Sequence, residues 1–195
     1  TTTRQAQGHP RDMSPTHSQS ADAGPLEGIR IIELHAIGPV PFAGQLLRSL
    51  GASVSRISPP ADPGLGVATD PRFDLSNYGK TPLSIDLKRP EGLAEALALI
   101  DKADVLLEGF RPGVLERLGM APADLLARNP RLVIGRLSGW GNAGALTERA
   151  GHDINYLAMA GLLNAIGTKE TPVAPLNVVG DYGGGAMHLA VGVLA

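Results

Sequence analysis

GIRIIELHAIGPVPFAGQLLRSLGASVSRI, residues 28–57, carries the fold in one pass. GIRIIEL (28–34) is a short run rich in β-branched residues and reads as a strand. FAGQLLRSLGA (42–52) spaces its apolar residues as one face of a helix and meets a stop at Gly51. ASVSRI (52–57) reads as a second strand. A strand, a helix and a strand within thirty residues form a βαβ unit, the building block of a parallel sheet.

The same alternation continues outward. PPADPGLG (59–66) reads as a loop and TPLSIDL (81–87) as a third strand. RPEGLAEALALIDKA (89–103) reads as a helix with Pro90 and Glu91 in its first turn. DVLLEGF (104–110) is a fourth strand, RPGVLERLG and PADLLARNP two short helical pieces, and RLVIGRLSGWG (131–141) a fifth strand closed by a glycine turn. Right-handed crossovers turn this pattern into an α/β fold, a doubly wound and mostly parallel sheet of Rossmann-like type. Ligands of such sheets bind beyond the carboxyl ends of the strands, so the loops after 34, 57, 87, 110 and 138 are the places to look.

Composition narrows the function. Hydrophobic residues make up 43% and charged residues 18%, as a packed core requires. A net charge of -2 gives no electrostatic case for nucleic acid. No apolar run reaches the ~18 residues of a membrane span, so a membrane protein is not expected. With no cysteine there is no disulfide, no zinc–thiolate site and no thiol nucleophile, and a cytoplasmic protein is the expectation. Residues 1–23 are nearly devoid of aliphatic side chains and read as a disordered tail, leaving 24–195 as the ordered part. The chain starts without Met, and MHLAVGVLA runs apolar to the last residue with no stop signal. Both features read as a fragment of a longer protein.

Familiar nucleotide signatures are absent. The loop after the first strand is HAIGPVP, with no G-x-G-x-x-G, and no G-x-x-x-x-G-K-[ST] occurs. Two other segments carry chemistry. AGHDINYLAMAGLLNAIG (150–167) reads as a helix with His152 and Asp153 at its start, where unpaired N–H groups and the positive dipole end can stabilise an oxyanion. PLNVVGDYGGGAMHLAVGVLA (175–195) places Asp181 before three glycines that allow close backbone approach, and the run reads as a tight turn into the helix that follows. The plain structural alternative is that both aspartates only cap helices. His188 reads as a surface or packing residue. A histidine and a carboxylate together suit general acid–base work, while Asp181 alone suits nucleophilic catalysis. His152, Asp153 and Asp181 lack a recognised metal-ligand spacing, so no metal is expected.

GPLEGIRIIEL, SRI, SIDLKRPEG, ADVLLEGFRPGVLERLG, RLVIGRLSGWG, AGHDINYLAMAGLL and PLNVVGDYGGG, in that order, resemble the class III CoA-transferase fold family, and within it the branch of alpha-methylacyl-CoA racemases. The resemblance covers 24–195 and rests most on GHDINY and NVVGDYGGG. It implies an isomerase of lipid metabolism that inverts the carbon next to the carbonyl of a 2-methylacyl-CoA thioester. One base removes the α-proton, an enolate forms, and a second group returns a proton to the other face. No cofactor beyond the CoA of the substrate is implied. His152 matches the histidine base, Asp181 the aspartate base, and the backbone N–H of Asp153 the donor to the thioester oxygen; Asn177 lies near enough in sequence to orient the site. Arg111 and Arg117 match basic residues that meet the CoA phosphates, and Arg56, Lys80 and Ile85 fall where the nucleotide end is held.

Two departures matter. Pro59 stands where the family commonly has an arginine near the adenine. Family members are also about twice this length, with a small second domain, a returning C-terminal segment and an interlocked homodimer, and a glutamate from the part beyond this chain pairs with the histidine. The alternatives are a CoA-transferase using Asp181 as nucleophile, or an inactive CoA-binding fragment.

Overall fold

The computed structural model describes residues 24–61, 64 and 70–195. The expected tail over 1–23 lies outside the described residues, as does half of the loop expected over 59–66. The five strands are β1 (Arg30–Leu34), β2 (Ser53–Ser58), β3 (Thr81–Ser84), β4 (Val105–Glu108) and β5 (Val133–Arg136). They form one sheet in the order β3-β2-β1-β4-β5, and every ladder is parallel. Consecutive strands therefore need crossovers, and helices form three of them: α1 (Pro39–Ser49) between β1 and β2, α2 (Pro90–Ile100) between β3 and β4, and the short pair α3 (Val114–Arg117) and α4 (Pro122–Arg128) between β4 and β5.

Alternation along the strands divides the core in two. Ile32, Leu34, Ile57 and Leu106 face α2, α3 and α4, where Ala96, Ile100, Leu115, Met120 and Leu125 complete a buried cluster. Ile31, Val54, Val105 and Leu107 face the other way, onto Val40, Ala43 and Leu47 of α1. Leu189 and Ala190 of α7 (Met187–Leu194), with Ala186 just before it, close that second layer, and α5 (Asp153–Met159) and α6 (Leu162–Ala165) lie between β5 and α7 in the chain. Both faces are covered, as a parallel sheet requires.

Three local expectations are corrected. α1 starts three residues before Phe42, because Pro39 and Pro41 have φ preset for a first helical turn and lose nothing there by lacking N–H groups. The single helix expected over 150–167 is two: Gly161, at φ 78°, takes the left-handed conformation that ends one helix and opens the next. The glycine run is not a tight turn. Val178–Ala186 is a π-helix of nine residues that passes directly into α7.

Candidate active site

The carboxyl ends of all five strands open on one cleft of about 900 Å³. His35 after β1, Pro59 after β2, Lys88 after β3, Arg111 after β4 and Trp140 after β5 all line it, and His152 and Tyr156 form one wall. The charge on this lining is unbalanced. Among the described residues, Lys88, Arg111 and Arg149 are cations on this lining, against the carboxylate of Asp86. A concave site with that excess is preset for an anionic ligand.

His152 is the N-cap of α5, extended at φ −133° and ψ 169°. Its backbone N–H donates to Asn155 Oδ1 at 2.9 Å, which fixes the entry into the helix. Asp153 follows as the first helical residue and is buried, 8% exposed. Tyr156 lies one turn on, edge-to-face with Trp140 at 4.8 Å. Gly139 and Gly151 press against that aromatic pair: a Cβ on Gly151 would lie 2.7 Å from the Tyr156 ring and 2.8 Å from Trp140.

Asp181 comes to the same place from the π-helix. Its backbone N–H donates to Asp153 Oδ2 at 2.6 Å. Its own carboxylate lies over Gly38, where an added Cβ would sit 3.6 Å from Oδ2. The neighbouring Tyr182 stacks on Phe42 of α1 at 4.7 Å and anchors the segment. Burial pushes the Asp181 carboxyl above the usual range; the charge of Asp153 adds to the rise and His152 opposes it. Tyr156 is raised as well, by burial first and then by the charge of Asp181. His152, Asp153, Tyr156 and Asp181 thus form one electrostatic group beside the cleft, from segments about thirty residues apart in sequence.

The remaining sequence-read residues separate. Arg111 is exposed on the cleft and Ile85 is a buried part of its floor. Arg117 is exposed on α3 with its guanidinium against Gly113, outside the cleft lining. Lys80 does not reach the cleft, since its side chain is 1% exposed and its Nζ donates to Glu33 Oε2 at 2.7 Å and to Pro41 O at 2.8 Å. Arg56 joins the same buried cluster, 3.8 Å from Glu33 Oε1, and its Nη2 lies 2.6 Å from His35 Nδ1. Asn177 is the exposed N-cap of the π-helix, and its carbonyl accepts the Tyr182 N–H. His188 is exposed, its Nδ1 2.6 Å from Gly184 O. Sequence reasoning missed two of the cleft cations. Lys88 sits in the loop after 87, a place already marked for inspection, whereas nothing in the sequence around Arg149 singles it out.

A sheet of this order with an anion-attracting cleft at its carboxyl edge fits the family whose model, described as CoA-transferase family III, matches residues 26–195. The chain belongs to that family. Over 172 residues it is 43% identical to the alpha-methylacyl-CoA racemase of Homo sapiens, covering 87% of this chain and 43% of the relative. It is 34% identical to the "Probable fatty acyl-CoA transferase Rv3272" of Mycobacterium tuberculosis over 183 residues, 88% of this chain and 46% of the relative. Among solved structures, a CAIB/BAIF family protein from Brucella suis superposes with a TM-score of 0.79 at 28% identity, over 88% of this chain and 48% of that one. The chain spans less than half the length of these curated relatives.

Proposed function

We propose that the protein carrying this chain inverts the α-carbon of 2-methylacyl-CoA thioesters by proton transfer between two bases, His152 and Asp181. The observation that carries this reading is the Asp181 carboxyl, raised above an ordinary aspartate by burial and then by Asp153, within electrostatic reach of His152. Proton exchange between a histidine and a carboxyl is efficient when their proton affinities are close, and raising Asp181 brings it toward imidazole. Neutral His152 with protonated Asp181, and protonated His152 with ionised Asp181, hold the same number of protons. The first pair accepts a proton on His152 and delivers one from Asp181; the second does the reverse. In each direction the C–H electron pair becomes the enolate double bond and the carbonyl π pair moves onto the thioester oxygen. The N–H of Asp153, first in its helix and therefore without an intrahelical acceptor, is the donor for that oxygen. No electrons are gained or lost.

The CoA part of the substrate goes to the cleft, its phosphates to Lys88, Arg111 and Arg149 and its apolar parts to Ile57, Leu87 and Phe110. The 43% identity to a racemase supports the isomerase reading. The relative named as a transferase supports a second reading, in which the Asp181 carboxylate attacks the thioester and forms a mixed anhydride. Incubating the intact protein with a single enantiomer of a 2-methylacyl-CoA in deuterated water separates the two. Inversion with one deuterium at the α-carbon and no acyl mass added to Asp181 is expected; an acyl-Asp181 adduct without α-exchange overturns the racemase reading.

A further inference from the structure

Among the described residues four charged side chains are buried: Glu33, Lys80, Glu108 and Asp153. Glu33 and Lys80 pair with each other. Glu108 takes the Arg136 guanidinium at 2.6 Å and the Phe110 N–H at 2.6 Å. Among the described residues no cation pairs with Asp153. A buried carboxylate without a counter-charge is unfavourable unless hydrogen bonds hold it, and the bond that Asp153 makes is to the backbone of Asp181. The chain is shaped around this contact. A Cβ on Gly180 would lie 2.5 Å from Asp153 Oδ2 and 3.3 Å from Leu157 Cδ2, so the π-helix reaches the carboxylate only with glycine there.

The structure assigns the Asp153 side chain a role of its own: we propose that it is a positioning residue for Asp181, fixing the 181 peptide through its N–H and holding a negative charge beside the proton-transferring carboxyl. This rests on the two-base reading and adds to the role of the Asp153 backbone a separate one for its carboxylate. The groups facing Asp181 are few. α5 brings His152, Asp153 and Tyr156; α1 brings Gly38, and Phe42 stacked on Tyr182; on the side of α7, His188 is engaged with Gly184 O. Of these, Asp153 is the negative charge that raises Asp181.

The test compares pH profiles of α-deuterium exchange by the intact protein, its Asp153→Asn and Asp153→Ala variants, and Asp181→Asn. Asparagine keeps the shape and an oxygen for the 181 N–H but loses the charge. Asp153→Asn is therefore expected to move the acid limb of the profile to lower pH with KM little changed. Asp153→Ala loses the peptide anchor as well, and kcat is expected to fall by roughly 10²-fold, the scale of a small misplacement of a reacting group. An Asp153→Asn limb that overlies the parent's overturns the proposal. Should the variants fail to fold, carbon-13 titration of the aspartate carboxyls in the parent protein decides, with Asp181→Asn giving the assignment. Asp181 is expected to titrate above the ordinary aspartate range, and an ordinary value overturns the proposal. Exchange and inversion of both enantiomers at the parental rate by Asp181→Asn would instead remove the two-base reading itself.

Discussion

At the scale of single residues, a carboxyl kept protonated more readily than an exposed aspartate carries a stability signature. Asp181 has its folded value raised by burial first and Asp153 second. A raised value means that the folded state binds the proton more tightly. The associated stability is fully present below the ordinary aspartate range and is lost as pH rises through the folded value. Asp181→Asn cannot ionise, so it should gain on the parent across that window. The gain should be small, because the side chain is only part-buried and water screens its charge. Melting temperatures of both proteins from acid to neutral pH check this; a difference that stays constant with pH contradicts it. The placement of His152, Asp153 and Asp181 at helical starts was legible in the sequence, because each sits next to glycine or an apolar run. Lys80 was not. Its partner Glu33 is 47 positions away, on a strand whose alternation asks for an apolar side chain at that point. The pair is accommodated because residue 44 of α1 is glycine: a Cβ there would lie 3.2 Å from the Lys80 Nζ and would collide with the Glu33 carboxylate.

At the scale of elements, the π-helix decides where Asp181 points. Its wide coil brings each carbonyl near the residue five positions on. A Cβ on Gly183 would lie 2.9 Å from Val178 O, and one on Gly184 would lie 3.3 Å from Val179 O. Three glycines in succession are therefore the sequence form of this coil, and the signal was visible but could equally be read as a turn. The break between α5 and α6 has the same origin: Gly161 was one of several glycines in an apolar helical pattern, and its positive φ falls in the middle of that pattern. The π-helix yields a prediction. In Gly180→Ala the new methyl would press on the Asp153 carboxylate and displace the 181 peptide. Exchange should fall by roughly 10²-fold while the sheet and its cooperative unfolding persist, as read by α-deuterium exchange and circular dichroism. A parental rate in this variant would show that the contact does not set the geometry.

At the scale of the whole molecule, the α/β class was legible because strand and helix patterns alternate along the chain, and a parallel sheet is the arrangement that buries both strand faces. Strand order was not legible, since periodicity says which face is apolar but not which neighbour covers it. The order β3-β2-β1-β4-β5 makes the chain reverse direction between β1 and β4, and His35 and Arg111 face the cleft from either side of that point. With Lys88, Arg111 and Arg149 on its lining, the cleft should bind CoA through charge. Lys88→Ala and Arg111→Ala should each weaken CoA binding by about tenfold, the scale of one charge-assisted contact, and the affinity of the parent should fall as salt rises. Titration calorimetry at two ionic strengths measures both. Affinity insensitive to salt and to both substitutions would place the CoA elsewhere.

The two-base exchange at His152 and Asp181 is the centre of the account, and enantiomer-resolved deuterium incorporation tests it most directly. Each enantiomer of a 2-methylacyl-CoA is incubated in deuterated water with the intact protein, with His152→Ala and with Asp181→Ala, and α-deuterium and configuration are followed together. Each variant is expected to lose racemisation by roughly 10²-fold or more. Each should still exchange the α-hydrogen of one enantiomer, a different one for each variant, without inverting it. If Asp181→Ala exchanges and inverts both enantiomers at the parental rate, the two-base account is wrong.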